Sequence, residues 1–205
     1  MPEKDDDKEC WERFYAEQRR PWRGVGKLGP LKVAPGSKAL DLGCGNGKTA
    51  AALLEAGAVV TGIDISENAV AQCVKAFGEK AVFIAADCTE LPFEDGSFDI
   101  VAAVHVFEHL GEEKAALAVK EIKRALAPGG LLLLRSFSVC DSRAGGRSED
   151  VRGNGIRYRY FTKELIAEMF DGFEAVSVER IDETMRFGAV RVRIECLFRN
   201  GRGPL

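Results

Sequence analysis

The sequence predicts an α/β domain built on a doubly wound, mostly parallel sheet, and three observations carry that prediction. Between residues 38 and 137, short apolar or β-branched runs alternate with stretches of helical periodicity, the pattern of strands joined by helical crossovers. The first run, Lys38-Ala39-Leu40-Asp41-Leu42, stops in three alternating glycines, Gly43, Gly45 and Gly47, just ahead of a helical stretch. Phe98–Val104 is almost unbroken in its apolar character, as a strand buried on both faces of a parallel sheet must be.

Taken in order, residues 1–8 read as a solvated acidic tail. Residues 10–20 place Trp11, Phe14 and Tyr15 near helical spacing and stop before Pro21, so they read as an amphipathic helix, either docked on the core or lying over a site as a lid. Ala34-Pro35-Gly36-Ser37 is a turn into the first strand. A helix over 48–56 follows the glycines, Gly57 caps it, and a strand over 58–63 ends at Asp64. Ser66 caps a helix through Phe77 that Gly78 closes, and residues 81–85 form a third strand running into Asp87-Cys88.

Residues 91–97 form a loop ahead of the fourth strand. In residues 112–126, Ala115, Val119, Ile122 and Leu126 mark one helix face, and Pro128-Gly129-Gly130 ends that helix before a strand over 131–137. Beyond an irregular stretch, Thr162 caps a helix over 162–170. Strands over 173–181 and 189–198 then pair through a short connection, so they are antiparallel. This divides the chain into residues 1–34, tail and covering helix, and residues 35–205, a single domain, since 205 residues suit one α/β domain better than two.

The glycine loop narrows the ligand. A dinucleotide fingerprint G-x-G-x-x-G needs its third glycine where Lys48 stands, and a phosphate loop G-x-x-x-x-G-K-[ST] needs its first where Leu42 stands. What remains is Asp41-x-Gly43-x-Gly45-x-Gly47, and here the chain resembles the class I S-adenosylmethionine-dependent methyltransferases over about residues 35–200. The resemblance implies a Rossmann-like sheet of seven strands with the last antiparallel. It also implies that Asp41, Gly43, Cys44 and Gly45 hold the amino-acid end of the cofactor and that Asp87 with Cys88 meets the adenine. Taken alone, Asp87 also fits a turn. Asp64, with Ile65 after it, ends the second strand about 20 residues beyond the glycines, where a carboxylate accepts hydrogen bonds from ribose hydroxyls. Trp11-x-x-x-Tyr15 followed by Pro21-Trp22 is similar to the start of small-molecule methyltransferases of the thiopurine and tellurite type, which implies that Trp22 covers the cofactor.

His105-Val106-Phe107-Glu108-His109 matches the zinc-peptidase pattern H-x-x-E-H and holds both histidines of the chain. That chemistry needs both on one helix face, whereas His105 follows a strand, so no metal is expected. At the carboxyl end of the fourth strand His105 either packs or faces the cofactor sulfonium, and Glu108 and His109 on the following loop are candidates for the acceptor site. Residues 143–160 carry five arginines (Arg143, Arg147, Arg152, Arg157, Arg159) against Glu149 and Asp150, with Tyr158 and Tyr160. They form either a solvated mobile loop or a lid whose arginines bind an acidic acceptor.

Net charge −3 gives no reason to expect nucleic acid as a partner, and no apolar run approaches the ~20 residues that span a bilayer. The six cysteines lie apart without a C-x-x-C pair, which points to reduced thiols and the cytoplasm. The expectation is methyl transfer from S-adenosylmethionine to a small-molecule acceptor, with a noncatalytic sensor or partner subunit that binds the same cofactor as the rival.

Overall fold

The computed structural model describes residues 6–17, 25–185 and 188–201. Its sheet is assembled from β1 (Lys38–Leu42), β2 (Val59–Asp64), β3 (Val82–Ala85), β4 (Phe98–Val104), β5 (Leu126–Phe137), β8 (Phe173–Thr184) and β9 (Val190–Asn200) in the order β3-β2-β1-β4-β5-β9-β8. β3, β2, β1, β4 and β5 run parallel, and β9 is antiparallel to both of its neighbours. A two-stranded ribbon of β6 (Glu149–Val151) and β7 (Arg157–Arg159) stands outside this sheet.

The period-2 alternation of the strands sorts the core into two faces. Leu40, Leu42, Val101, Ala103, Leu132 and Leu134 pack with α4 (Glu112–Ala125) and α5 (Lys163–Met169) through Ala118, Ile122 and Ile166. Ala39, Ile100, Ala102 and Leu133 point the other way, against Ala50 and Leu53 of α2 (Lys48–Glu55) and Cys73 of α3 (Glu67–Phe77). Strand order reverses at β1, which lies between β2 and β4, and open parallel sheets bind ligands beyond the carboxyl ends of the strands at such a point. The glycine loop follows β1 and His105 follows β4, so the topology brings the two sequence signals to one edge.

Three expectations need correction. The first helix, α1, spans Asp6–Glu17, so it starts inside the supposed solvated tail, where Asp7 and Lys8 pair with Lys114 and Glu67. Acidic residues suit a helix N-terminus, and tertiary partners hold the turn they start. Pro128-Gly129-Gly130 does not separate α4 from β5: the strand begins at Leu126, and its pairing with β4 jumps from Phe98–Leu126 to Ile100–Leu131 around an outlooped turn. Asn200 Nδ2 secures that junction by donating to the carbonyls of Leu126 (2.9 Å) and Lys123 (3.1 Å). The irregular stretch contains the β6–β7 ribbon, closed by Arg152 N donating to Ile156 O at 3.1 Å. No helix among the described residues is long and apolar enough to cross a membrane.

Candidate functional site

The glycine loop is shaped by backbone conformations that side chains resist. Gly43 and Gly45 sit at φ 66° and 52°, and a Cβ on them would come within 2.6 Å of Val106 Cγ2 and 2.5 Å of Tyr15 Oη. Two carboxylates hold the loop from behind. Asp41, 1% exposed, accepts a hydrogen bond from Ala50 N at 2.8 Å and so ties β1 to the first turn of α2. Asp64 accepts from Gly45 N at 2.8 Å through one oxygen and from Ser66 N at 3.0 Å through the other, bracing the loop against the start of α3. Burial pushes Asp41 up to about 8, against the pull of the Ala50 N–H and with help from the charge of Asp64.

A cleft opens in front of this loop. It is lined by Gly43, Asp64, Ile65, Asp87, Cys88, His105 and His109, which are seven of the residues singled out from the sequence. Asp87 uses Oδ1 to accept from Thr89 N (2.9 Å) and Thr89 Oγ1 (2.8 Å), which fixes the turn after β3. Asp41, Cys44 and Gly45 do not line the cleft; they support its floor. Trp22 lies outside the described residues. Trp11 of α1 does line the cleft, together with Asp7, Val106, Leu110 and Lys114, none of which the sequence marked as a ligand. Ile63, Ile65, Ala86 and Val106 form apolar walls beside Asp64 and Asp87. Carboxylate acceptors between apolar walls fit a nucleoside with hydroxyl groups and a cationic end.

His105 is the only non-glycine among the described residues with positive φ, at 61°, a conformation that costs roughly 1–2 kcal/mol. The strain aims its ring: Nδ1 lies 2.6 Å from Glu108 Oε1, and the imidazole stacks on Phe137 with centroids 4.3 Å apart. Glu108 is fully buried, and its Oε2 has no hydrogen-bond partner among the described residues. Burial alone would raise Glu108, but the opposing charge and hydrogen bond of His105 hold it below its ordinary value. Glu108 is therefore a carboxylate that can only accept, so His105 donates its Nδ1–H to it and Nε2 is the ring nitrogen left for other partners.

His109 is pushed down by burial and donates Nδ1–H to the carbonyl of Arg157 at 2.7 Å, which fixes the same tautomer. Its ring bridges Trp11 (4.8 Å) and Tyr158 (4.7 Å), so α1, the loop after β4 and the β6–β7 ribbon meet at one imidazole. Among the described residues, no group of three histidine, cysteine, aspartate or glutamate side chains is arranged to hold a metal.

α1 is clamped over the same edge. Glu12 accepts from Glu67 N (2.5 Å), Asn68 N (3.2 Å), Ser66 Oγ (3.1 Å) and Asn68 Nδ2 (2.6 Å), filling the N-terminus of α3 with a carboxylate. Gln72 Nε2 donates to Tyr15 O at 3.0 Å one helical turn further on. Glu12 was beyond sequence reasoning, since its partners lie more than fifty residues away and no local pattern marks them.

Residues 40–134 match the family model described as a methyltransferase domain. The chain is 36% identical over 169 residues to 27-O-demethylrifamycin SV methyltransferase of Amycolatopsis mediterranei, with 77% of this chain and 61% of that protein covered. It is 37% identical over 119 residues to demethylmenaquinone methyltransferase of Beutenbergia cavernae, covering 58% of this chain and 48% of the relative. The chain thus spans less than two thirds of the length of these curated relatives. Among solved structures, a S-adenosylmethionine-dependent methyltransferase from Methanosarcina mazei superposes with TM-score 0.74 at 22% identity, over 84% of this chain and 96% of that one, and shares the fold.

Proposed function

Since the chain belongs to the class I S-adenosylmethionine-dependent methyltransferases, we propose that it transfers a methyl group from that cofactor to a small-molecule acceptor. The observation that carries this reading is Asp64, whose carboxylate braces the glycine loop at Gly45 while lining one cleft with Asp87 and His105. S-adenosylmethionine, when bound, supplies a methyl group already activated by a sulfonium centre. Asp64 and Ile65 would hold its ribose side, Asp87 and Cys88 its adenine side, and Gly43 its amino-acid end, with Asp41, Cys44 and Gly45 supporting that loop from behind.

The chain's own task is then alignment, exclusion of water and proton removal. His105 takes the proton from an acceptor hydroxyl or ammonium on Nε2, and buried Glu108 stabilises the resulting imidazolium through Nδ1. Glu108 thus acts through His105, whose ring is held by Phe137. The relatives' names, a demethylrifamycin and a demethylmenaquinone methyltransferase, favour a small organic acceptor. A cytoplasmic setting suits six cysteines that are all unpaired.

The test is turnover. The purified protein, S-adenosylmethionine and a fractionated small-molecule extract should yield S-adenosylhomocysteine together with one compound heavier by a methyl group, and His105→Ala should suppress both. Tight S-adenosylhomocysteine binding with no turnover across all fractions would favour the noncatalytic sensor instead.

A further inference from the structure

α1 lies along the cleft. Asp7, Trp11 and Tyr15 follow one another at intervals of one helical turn on a single face, and each meets a different part of the site. Tyr15 reaches the glycine loop, its Oη 2.5 Å from where a Cβ on Gly45 would stand. Trp11 lies edge-on to His109 with centroids 4.8 Å apart. Asp7 Oδ2 accepts from Lys114 Nζ of α4 at 3.1 Å. The stripe therefore runs from the loop after β1, past the loop after β4, to the first turn of α4.

Two ion pairs fasten the start of this helix, and only one of them faces a ligand. Lys8 pairs with Glu67 at 3.4 Å, and neither residue lines the cleft. Asp7 and Lys114 both line it, together with Asp87 and Cys88. Burial pushes the Cys88 thiol up to about 12, the charge of Asp87 adds to that push and the charge of Lys114 opposes it, so the ammonium stands within electrostatic reach of this sulfur. The Asp7 and Lys114 side chains are 37% and 32% exposed, and a pair so open to water adds little to stability. It also engages one of three ammonium donors and one of two carboxylate oxygens, which leaves each partner able to bind a second group.

The pair thus presents an acceptor beside a donor at the Asp87–Cys88 end of the cleft. Adenine carries the complement along its edge, since the 6-amino group donates and the ring nitrogen next to it accepts. Asp87 commits Oδ1 to Thr89, so at most its other oxygen remains for the base, while the amino group has two hydrogens to place. We propose that Asp7 and Lys114 read the adenine edge of the cofactor, Asp7 accepting from the 6-amino group and Lys114 donating to the adjacent ring nitrogen. This rests on the methyltransferase reading above and adds two binding residues to it, one of them on the covering helix. A 6-oxo purine would set oxygen against the Asp7 carboxylate and leave both acceptors unpaired, so the pair selects the base as well as closing over it.

Two ligands that differ only at that edge provide the test: S-adenosylhomocysteine, and S-inosylhomocysteine, which carries oxygen in place of the 6-amino group. Saturable binding of the first to wild type, measured by calorimetry, examines the cofactor reading by itself. Wild type should then bind the adenosyl compound about tenfold or more tightly than the inosyl one. Asp7→Asn, whose amide can turn a donor toward the 6-oxygen, should lower this ratio severalfold by tightening the inosyl compound. Lys114→Gln should lower it by weakening the adenosyl compound. Lys8→Gln cuts the neighbouring pair, which docks the same helix without reaching the cleft, and should keep the wild-type ratio whatever it does to the two affinities. A ratio near one in wild type, an unchanged ratio in Asp7→Asn or in Lys114→Gln, or an equal fall in Lys8→Gln would each overturn the proposal.

Discussion

Asp41 lies in the core with 1% of its surface exposed and carries the carboxylate that the glycine pattern made conspicuous. Burial raises it from an ordinary 3.8 to about 8, so the folded protein holds a proton there that the unfolded chain releases. A raised carboxylate contributes stability that is fully present below its unfolded value and is lost as pH rises through its folded one. Asn at this position still accepts from Ala50 N but never becomes charged. In the absence of ligand, wild type should lose more melting temperature between pH 6 and pH 9 than Asp41→Asn does. Parallel pH profiles for the two proteins in thermal melts would rule out this account. At this scale the sequence made the acidic residues visible but not their division of labour. Spacing placed both Asp41 and Asp64 at strand ends, and only the folded chain puts one behind the loop and the other at its face.

α1 shows how a helix can be legible while its job is not. Trp11, Phe14 and Tyr15 gave away the helix and its half-buried stripe, but its start and its docking depend on partners in α3 and α4 that no local pattern encodes. The same holds for the β6–β7 ribbon: its strands are three residues each, too short for an alternation to stand out, and its glycines signal a loop. Burial acts to raise Glu12, yet the N–H groups of Glu67 and Asn68 outweigh it and hold the carboxylate below its ordinary value. A lowered group stabilises docking at neutral pH and stops doing so as pH falls through its folded value. Glu12→Ala should therefore speed amide hydrogen exchange in α1 and the first turn of α3 at pH 7 while leaving the core strands protected, and wild type should approach that behaviour in acid. Identical exchange in α1 for the two proteins at pH 7 would mean that the helix is held by its aromatic residues alone.

At the scale of the whole molecule, the doubly wound order was readable because parallel strands, buried on both faces, write themselves as apolar runs, and because right-handed crossovers leave few ways to assemble them. The reversal of strand order at β1 then decides where chemistry can occur, since it brings the loop after β1 and the residue after β4 to one edge. The cover over that edge, α1 and the ribbon, was legible only as one of two readings for each segment, because the contacts that place it are long-range. The central claim is that this edge is a site for S-adenosylmethionine, and titration calorimetry with S-adenosylhomocysteine and with NAD tests it most directly. The account predicts saturable one-to-one binding of S-adenosylhomocysteine, weakened by about one to two decades in Asp64→Ala, and no binding of NAD. Saturable binding of NAD with none of S-adenosylhomocysteine would contradict it.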